Sequence, residues 1–334
     1  MSEGEDGPGI QLERIGRMVE RSLPRWGCSP SATATMVNYS ENVTYRIDDP
    51  LEGRASILRV HRPGYHSEEA IRSELHWLNA LREEAGVLTA PPIASREGRL
   101  IERLGSDELA EPRFAVMFTF LPGREPPEDA LLGPFERLGE VTARLHAHVQ
   151  GWPLPDDFTR HSWDFDTMLG SRPIWGDWRA GMGVEGERRA ILQRLADRME
   201  QRLAAYGTGR ERFGLVHADL RLANLLVEDE ITRVIDFDDC GFSWYMYDLG
   251  AALSFIEHRP DVPELVDAWV RGYRRASPLS REDEAEIPTF VMLRRLLLVA
   301  WIGSHAETDL AQSMGVAYTE GSCTLAEQYL SRFG

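Results

Sequence analysis

Lysine is missing from this sequence: all 37 basic residues of its 334 are arginines. That excludes Schiff-base and pyridoxal chemistry, and it makes any side-chain cation on a phosphate a guanidinium. Coding bias in a GC-rich genome is a sufficient cause. Cysteine is nearly missing too. Cys28, Cys240 and Cys323 lie far apart, without metal-ligand spacing and in odd number, so no disulfide framework is expected and Cys240 reads as small filler. Apolar runs stay short of the eighteen or so residues of a membrane span. Positive charge is in deficit, with a net charge of -17, which disfavours nucleic acid and anionic membrane as partners and favours small cations or a metal-chelated nucleotide. The start, Met1 to Gly9, is acidic and Gly-rich, with neither a basic n-region nor an apolar h-region. A tail rather than a signal peptide is expected there, and a cytoplasmic location.

What is present is an ordinary globular composition, 43% hydrophobic and 27% charged, in a soluble chain long enough for two lobes. Leu12, Ile15, Met18 and Val19 fall at helical spacing before Pro24. Alternation then predicts a three-strand meander over 31–37, 43–47 and 55–60. Its first connection, Asn38 to Asn42, holds no glycine. Ser40 and Asn42 could offer donors to phosphate oxygens there, and an ordinary polar hairpin explains the same residues. Arg59 lies on the third strand and Glu74 inside a predicted helix over 68–84, with Ile71, Leu75, Leu78 and Leu81 on one face. A strand cation oriented by a helix carboxylate suits nucleotide phosphates; a strand-edge charge and a solvated glutamate are the plain alternative. An apolar strand over 114–121 ends at Pro122-Gly123, where the lobe boundary is placed, with the backbone from Phe118 through Phe120 to Leu121 as candidate adenine contact.

From 151 to 186 the periodicity fails. Trp163, Trp175 and Trp178 are interleaved with carboxylates, which suits either cation-π recognition of an amine-bearing acceptor or the packing of an insertion. Helices follow over 185–206 and, from Met246 onward, across most of the remaining chain. The run Phe290 to Ile302 reads as a buried core helix, and His305 just past it either lines the acceptor site or ends the helix.

The chemistry concentrates in Val216-His217-Ala218-Asp219-Leu220-Arg221-Leu222-Ala223-Asn224 and in Val234-Ile235-Asp236-Phe237-Asp238-Asp239. A short hairpin between the two would make Asn224 and Asp236 neighbours. In-line phosphoryl transfer needs a carboxylate to orient and deprotonate the acceptor, oxygen ligands for magnesium, and cations on the nucleotide. Asp219 suits the first, Asn224 and Asp236 the second, Arg59 the third. Asp238 joins the metal shell if the strand continues, or faces the acceptor, as does Asp239. His217 reads as structural. Arg221 meets either a phosphate or a surface acid.

The stretch from Asn38 to about Asp248 resembles the aminoglycoside phosphotransferase and choline kinase-like superfamily. The wording of Leu58 to Gly64, of Ser73-Glu74-Leu75 and of His217 to Asn224 is similar to the branch with bacterial stress-response kinases and homoserine kinase type II relatives. The resemblance implies an α+β, bilobal protein-kinase-like fold, a small N-lobe with an antiparallel sheet and a larger helical C-lobe, with ATP and magnesium held in the cleft. It implies Asp219 as base, Asn224 and Asp236 as metal ligands, and Tyr247-Asp248-Leu249 as a buried acidic element. The expected division is a tail and helix over 1–30, a nucleotide-binding lobe over 31–121, and a catalytic lobe over 122–334. This chain departs from the pattern at Arg59, where lysine is usual, in its glycine-free loop, and in Phe237-Asp238 in place of Phe-Gly. Three functions follow as expectations: a kinase for a hydroxyl of a small amine-bearing molecule, a Ser/Thr protein kinase, or a non-catalytic nucleotide-binding module.

Overall fold

The computed structural model describes residues 8–39 and 42–334; Ser40, Glu41 and the first seven residues lie outside them. The chain divides into two compact units. One gathers the residues up to Ala80 with Thr89–Pro122 and Pro155–Thr159; the other holds Leu81–Leu88, Gly123–Leu154 and Arg160–Gly334.

The first unit is built on an antiparallel sheet. Helix α1 (Pro8–Ser22) leads to β1 (Thr33–Tyr39), β2 (Val43–Asp49) and β3 (Arg54–Val60), then α2 (Glu68–Glu84), β4 (Pro92–Ile93), β5 (Ile101–Leu104) and β6 (Arg113–Thr119). Strand order is β1-β2-β3-β6-β4, with β5 also on β6. The meander is present, its first strand starting two residues later than alternation suggested. In β2 strict alternation buries Val43, Tyr45 and Ile47, the pattern of a sheet with one face on a core. With Ile15, Met18 and Val19 of α1, and Leu58 and Val60 of β3, they form that core. Arg59 lies between Leu58 and Val60 and so points to the opposite face, in register with Thr44 on one side and Val116 on the other.

The second unit is mostly helical: α3 (Leu132–Gly151), a single turn α4 (Phe165–Met168), α5 (Gly186–Tyr206), α6 (Tyr247–Ala252), α7 (Val262–Ala276), α8 (Arg281–Ser304) and α9 (Asp309–Phe333). Two small antiparallel ribbons sit among them. In one, β7 (Phe213–Val216) pairs with β10 (Gly241–Trp244), and in the other β8 (Leu225–Glu228) pairs with β9 (Ile231–Val234). The expected hairpin is thus formed. Strand β10 carries no strand-length alternation and was not expected; its place comes from pairing with β7. Helix α9 is broken at Gly315, whose φ of 48° and ψ of -146° are not helical, so its longer regular stretch begins at Val316.

Helix α8 is long and apolar enough to cross a membrane by length and composition, yet 78% of that stretch is buried within the fold. It is a core helix, apolar around its circumference. Ser280 caps it by accepting from the Asp283 N–H at 3.0 Å, and Glu282, Asp283 and Glu284 place negative charge on its first turn.

Helices α3 and α7 approach closely because glycines face each helix. A Cβ on Gly272 would stand 1.8 Å from the Glu136 carbonyl oxygen, and one on Gly139 2.0 Å from that of Trp269. Backbone cannot yield as a side chain does, so Gly272→Ala should destabilise the protein by about 3 kcal/mol. Urea unfolding checks this; an unchanged midpoint would show that the two helices are not held at this separation.

Candidate active site

Strand β7 delivers the chain into the loop His217 to Arg221, and a 3-10 turn over Leu222–Asn224 returns it to β8. The loop is shaped from behind by one buried carboxylate. Asp248, on α6, accepts the His217 N–H at 3.2 Å and the Ala218 N–H at 2.8 Å. Ala218 adopts a φ of 67°, a left-handed backbone that costs a non-glycine residue about 1–3 kcal/mol and persists where surroundings fix it. His146 of α3 donates to the same carboxylate through Nε2 at 3.0 Å, while its Nδ1 accepts from the Tyr273 hydroxyl at 3.1 Å.

His217 is fully buried. Its Nδ1 accepts the Asp219 N–H at 3.3 Å and its Nε2 donates to the Ile235 carbonyl at 3.1 Å. Burial pushes the imidazole pKa down, against the pull of Asp248 and Asp219, so the ring is neutral at pH 7 and ties the loop to the segment after β9.

Asp219 is the group this scaffold presents, its side chain 14% exposed. Asn224 donates through Nδ2 to Asp219 Oδ2 and to its carbonyl oxygen, both at 2.8 Å. Arg221 Nε donates to Oδ2 at 3.2 Å, and Arg294 Nη2 to Oδ1 at 2.5 Å. Burial would raise the Asp219 pKa, but the charges of Arg221 and Arg294 outweigh it and hold the carboxyl below its ordinary value. It is ionised at neutral pH. Arg221 is therefore paired with the acid two residues before it.

The Ile235 N–H donates to the Asn224 carbonyl at 3.0 Å, which sets Asp236 next to Asn224 in the chain path. Asp236 is exposed and adopts a φ of 62°. Because the Asn224 amide nitrogen faces Asp219, its oxygen is turned the other way, the atom a cation would use. Among the described residues, no group of three or more His, Cys, Asp or Glu side chains could hold a metal ion. An amide oxygen and one exposed carboxylate fit a magnesium ion that completes its shell with phosphate and water.

Asp238 does not share a strand face with Asp236, since β9 ends at Val234 and residues 238–239 form a turn. It is buried, and Arg160 binds its carbonyl oxygen and, at 2.6 Å, that of Cys240. Asp239 is half-buried and its carbonyl accepts from Trp163 Nε1 at 2.8 Å. Trp163 and Trp178 are buried, with no face turned to solvent, because the insertion folds back on the strand β10 edge through Trp163 N–H to the Phe242 carbonyl. Trp175 stands edge-on to Trp163 with its ring 5.2 Å from the Arg294 guanidinium. His305 stacks on Trp301 at the end of α8 and bonds Ser304.

In the first unit, Arg59 Nη2 meets both Glu74 oxygens at 2.7 Å, and both side chains are buried. Arg59 also lies over the Phe118 ring at 5.2 Å. Glu74 is thus neither solvated nor a bystander: it orients the strand cation. Phe120 follows the end of β6, its N–H 3.4 Å from the Ala55 carbonyl and its ring under Arg46. Asn42 accepts the Arg62 N–H at 3.0 Å, tying the start of β2 to the chain just after β3; its partner in the phosphate reading, Ser40, is outside the described residues.

The residue sequence reasoning missed is Arg294. Its signal was two adjacent arginines inside an apolar run, a charge pair that a buried helix tolerates only with partners. Asp248→Asn should leave one loop N–H without an acceptor and lower stability by roughly 2 kcal/mol; chemical unfolding checks the loss, and an unchanged stability would remove Asp248 from its role in shaping the loop.

Comparison with known proteins bears on the family and the fold. A family model described as the APH phosphotransferase enzyme family matches residues 38–285. The structure is similar to that of a microcompartment-associated aminopropanol kinase, 44% identical with a TM-score of 0.88, over 95% of this chain and 98% of that one. In sequence the chain is 24% identical to amicoumacin kinase of Bacillus subtilis over 305 residues, 88% of this chain and 86% of that protein. It is 28% identical to homoserine kinase of Gluconobacter oxydans over 261 residues, covering 73% and 77%.

Proposed function

This chain belongs to the APH phosphotransferase family, and from that premise we propose that it is an ATP- and magnesium-dependent kinase for the hydroxyl of a small amino alcohol. The observation that carries the reaction is the ionised, partly exposed Asp219 carboxylate held by Asn224 and Arg294. A fixed carboxylate of this kind orients an acceptor hydroxyl and takes its proton as the oxygen attacks phosphorus. Asn224 and Asp236 would hold the magnesium, which neutralises charge on the phosphates when bound. The Arg59–Glu74 pair would supply the cation on the nucleotide, with Phe118 and Phe120 beside the adenine contact.

The acceptor class is supported by the 44% identity to an aminopropanol kinase. An amino alcohol also suits the net charge of -17. The Ser/Thr protein kinase reading is not favoured, because the relatives named above act on small molecules. A cytoplasmic location, where ATP is supplied, is part of this proposal.

ADP release measured over 1-amino-2-propanol, ethanolamine and homoserine tests the acceptor; turnover of homoserine alone would displace the amino alcohol reading. Asp219→Asn should lower kcat by a factor of about 100 or more, and full activity in that variant would remove Asp219 as the base. Arg59→Lys keeps the charge but loses the planar guanidinium whose Nη2 meets both Glu74 oxygens, and should raise the KM for ATP about tenfold. Steady-state kinetics at saturating acceptor read this directly, and an unchanged KM would take Arg59 out of nucleotide binding.

A further inference from the structure

We propose that Arg294 is a positioning residue for phosphoryl transfer, a buried guanidinium that fixes the Asp219 carboxylate so that Oδ1 is the oxygen that receives the acceptor's proton. This rests on the reading of Asp219 as the base.

An arginine 1% exposed in the middle of an apolar helix carries a desolvation penalty that only well-made partners offset. Arg294 uses Nε on Ser254 Oγ at 2.9 Å, and Nη1 on the Tyr247 hydroxyl at 3.2 Å and the Ala218 carbonyl at 3.3 Å. Those three partners are neutral and belong to α6, the turn after it and the loop itself. They fix the plane of the guanidinium, and the Trp175 ring 5.2 Å away covers one face. The edge that remains, Nη2, meets Asp219 Oδ1. The arginine is therefore held by the scaffold and in turn holds the carboxylate, its own side chain 2% exposed behind an acid 14% exposed.

The two oxygens of Asp219 are loaded unequally. Oδ2 accepts from Asn224 and Arg221, while Oδ1 accepts from Arg294. Each carboxylate oxygen has two lone-pair sites, so among the described residues both sites on Oδ2 are taken and one is left on Oδ1. In the transfer step the acceptor O–H bond breaks and its oxygen forms the new bond to the γ-phosphorus. The bond from that phosphorus to the β,γ-bridging oxygen breaks and its electron pair leaves with ADP, while the proton goes to Oδ1. Arg294 thus sets which lone pair faces the hydroxyl, without touching the substrate.

The test compares Arg294→Met, Arg294→Lys and Tyr247→Phe with the wild type on an amino alcohol that the wild type phosphorylates. Arg294→Met should lose about 100-fold in kcat, the scale of a misplaced reacting group, with both KM values within about threefold. Arg294→Lys, which restores one contact to Oδ1, should recover at least about tenfold of that loss. Tyr247→Phe removes one support of the guanidinium and should lower kcat severalfold with KM unmoved. A kcat within threefold of wild type in Arg294→Met, or a KM that rises as far as kcat falls, overturns the proposal. If that variant does not fold, unchanged kcat in both Arg294→Lys and Tyr247→Phe overturns it. Wild-type protein that turns over no amino alcohol overturns the functional reading instead. Crystal structures of the variants then decide the positioning claim alone: an Asp219 carboxylate that turns supports it, and one that keeps its place without Arg294 sinks it.

Discussion

The carboxylate of Asp248 is the constraint on which the loop from His217 to Arg221 depends. A buried charge is stable only when its lone pairs are met, and here they are met by two loop N–H groups and by His146. The loop cannot take its left-handed turn at Ala218 without that acceptor, and the carboxylate would be left in the core with unmet lone pairs without the loop. The dependence runs further back. His146 lies on α3 and its partner Tyr273 on α7, so the tight glycine contact between those helices sets where the imidazole stands. Packing of these two helices is in this way transmitted, through three side chains and two amides, to the position of Asp219.

Helix α8 contributes a second constraint of the same kind. Arg294 and Arg295 are adjacent, so they leave the helix about 100° apart and serve different neighbours. Arg294 reaches the loop, while Arg295 pairs with buried Glu257 at 2.7 Å and bonds Ser322 and the Tyr318 carbonyl of α9. Two hydrophobic residues in their places would pack as well or better, since buried ion pairs seldom add net stability. What the pair adds is register: a leucine-rich helix that could slide or rotate among apolar neighbours is pinned at one rotation, and the carboxylate it holds is pinned with it.

The sequence disclosed the parts that are local. Asp219, Asn224 and Asp236 could be placed because a five-residue spacing and a short hairpin are properties of a single stretch, and Glu74 could be paired with Arg59 because strand and helix are consecutive. His217 was legible as structural for the same reason. Arg294, His146 and Glu257 were not, because each earns its role from a partner 38 to 102 residues away and sits in a segment whose own periodicity says only helix or turn. The tryptophans of the insertion were ambiguous in principle, since an aromatic that binds a cation and one that fills a core leave the same mark in a sequence. Burial decides the matter for Trp163 and Trp178.

The absence of lysine also takes on a definite meaning. Phosphoryl transfer asks its basic residues for charge and hydrogen bonds, never for a nucleophilic amine, so a chain without ammonium groups loses no chemical step. It does lose a compact cation, and each site has to accept a planar one. At Arg59 this is met by letting a single nitrogen bridge both oxygens of Glu74, which fixes the plane of the group as it enters the sheet face. At Arg294 the planarity is itself used, because four N–H groups with fixed directions are what allow one side chain to be anchored on three neutral partners while it aims at a carboxylate. A lysine there, with a freely turning ammonium on a flexible stem, could restore the one contact to Asp219 Oδ1 but not the three that fix the guanidinium plane, so it would define the orientation of the carboxylate only in part.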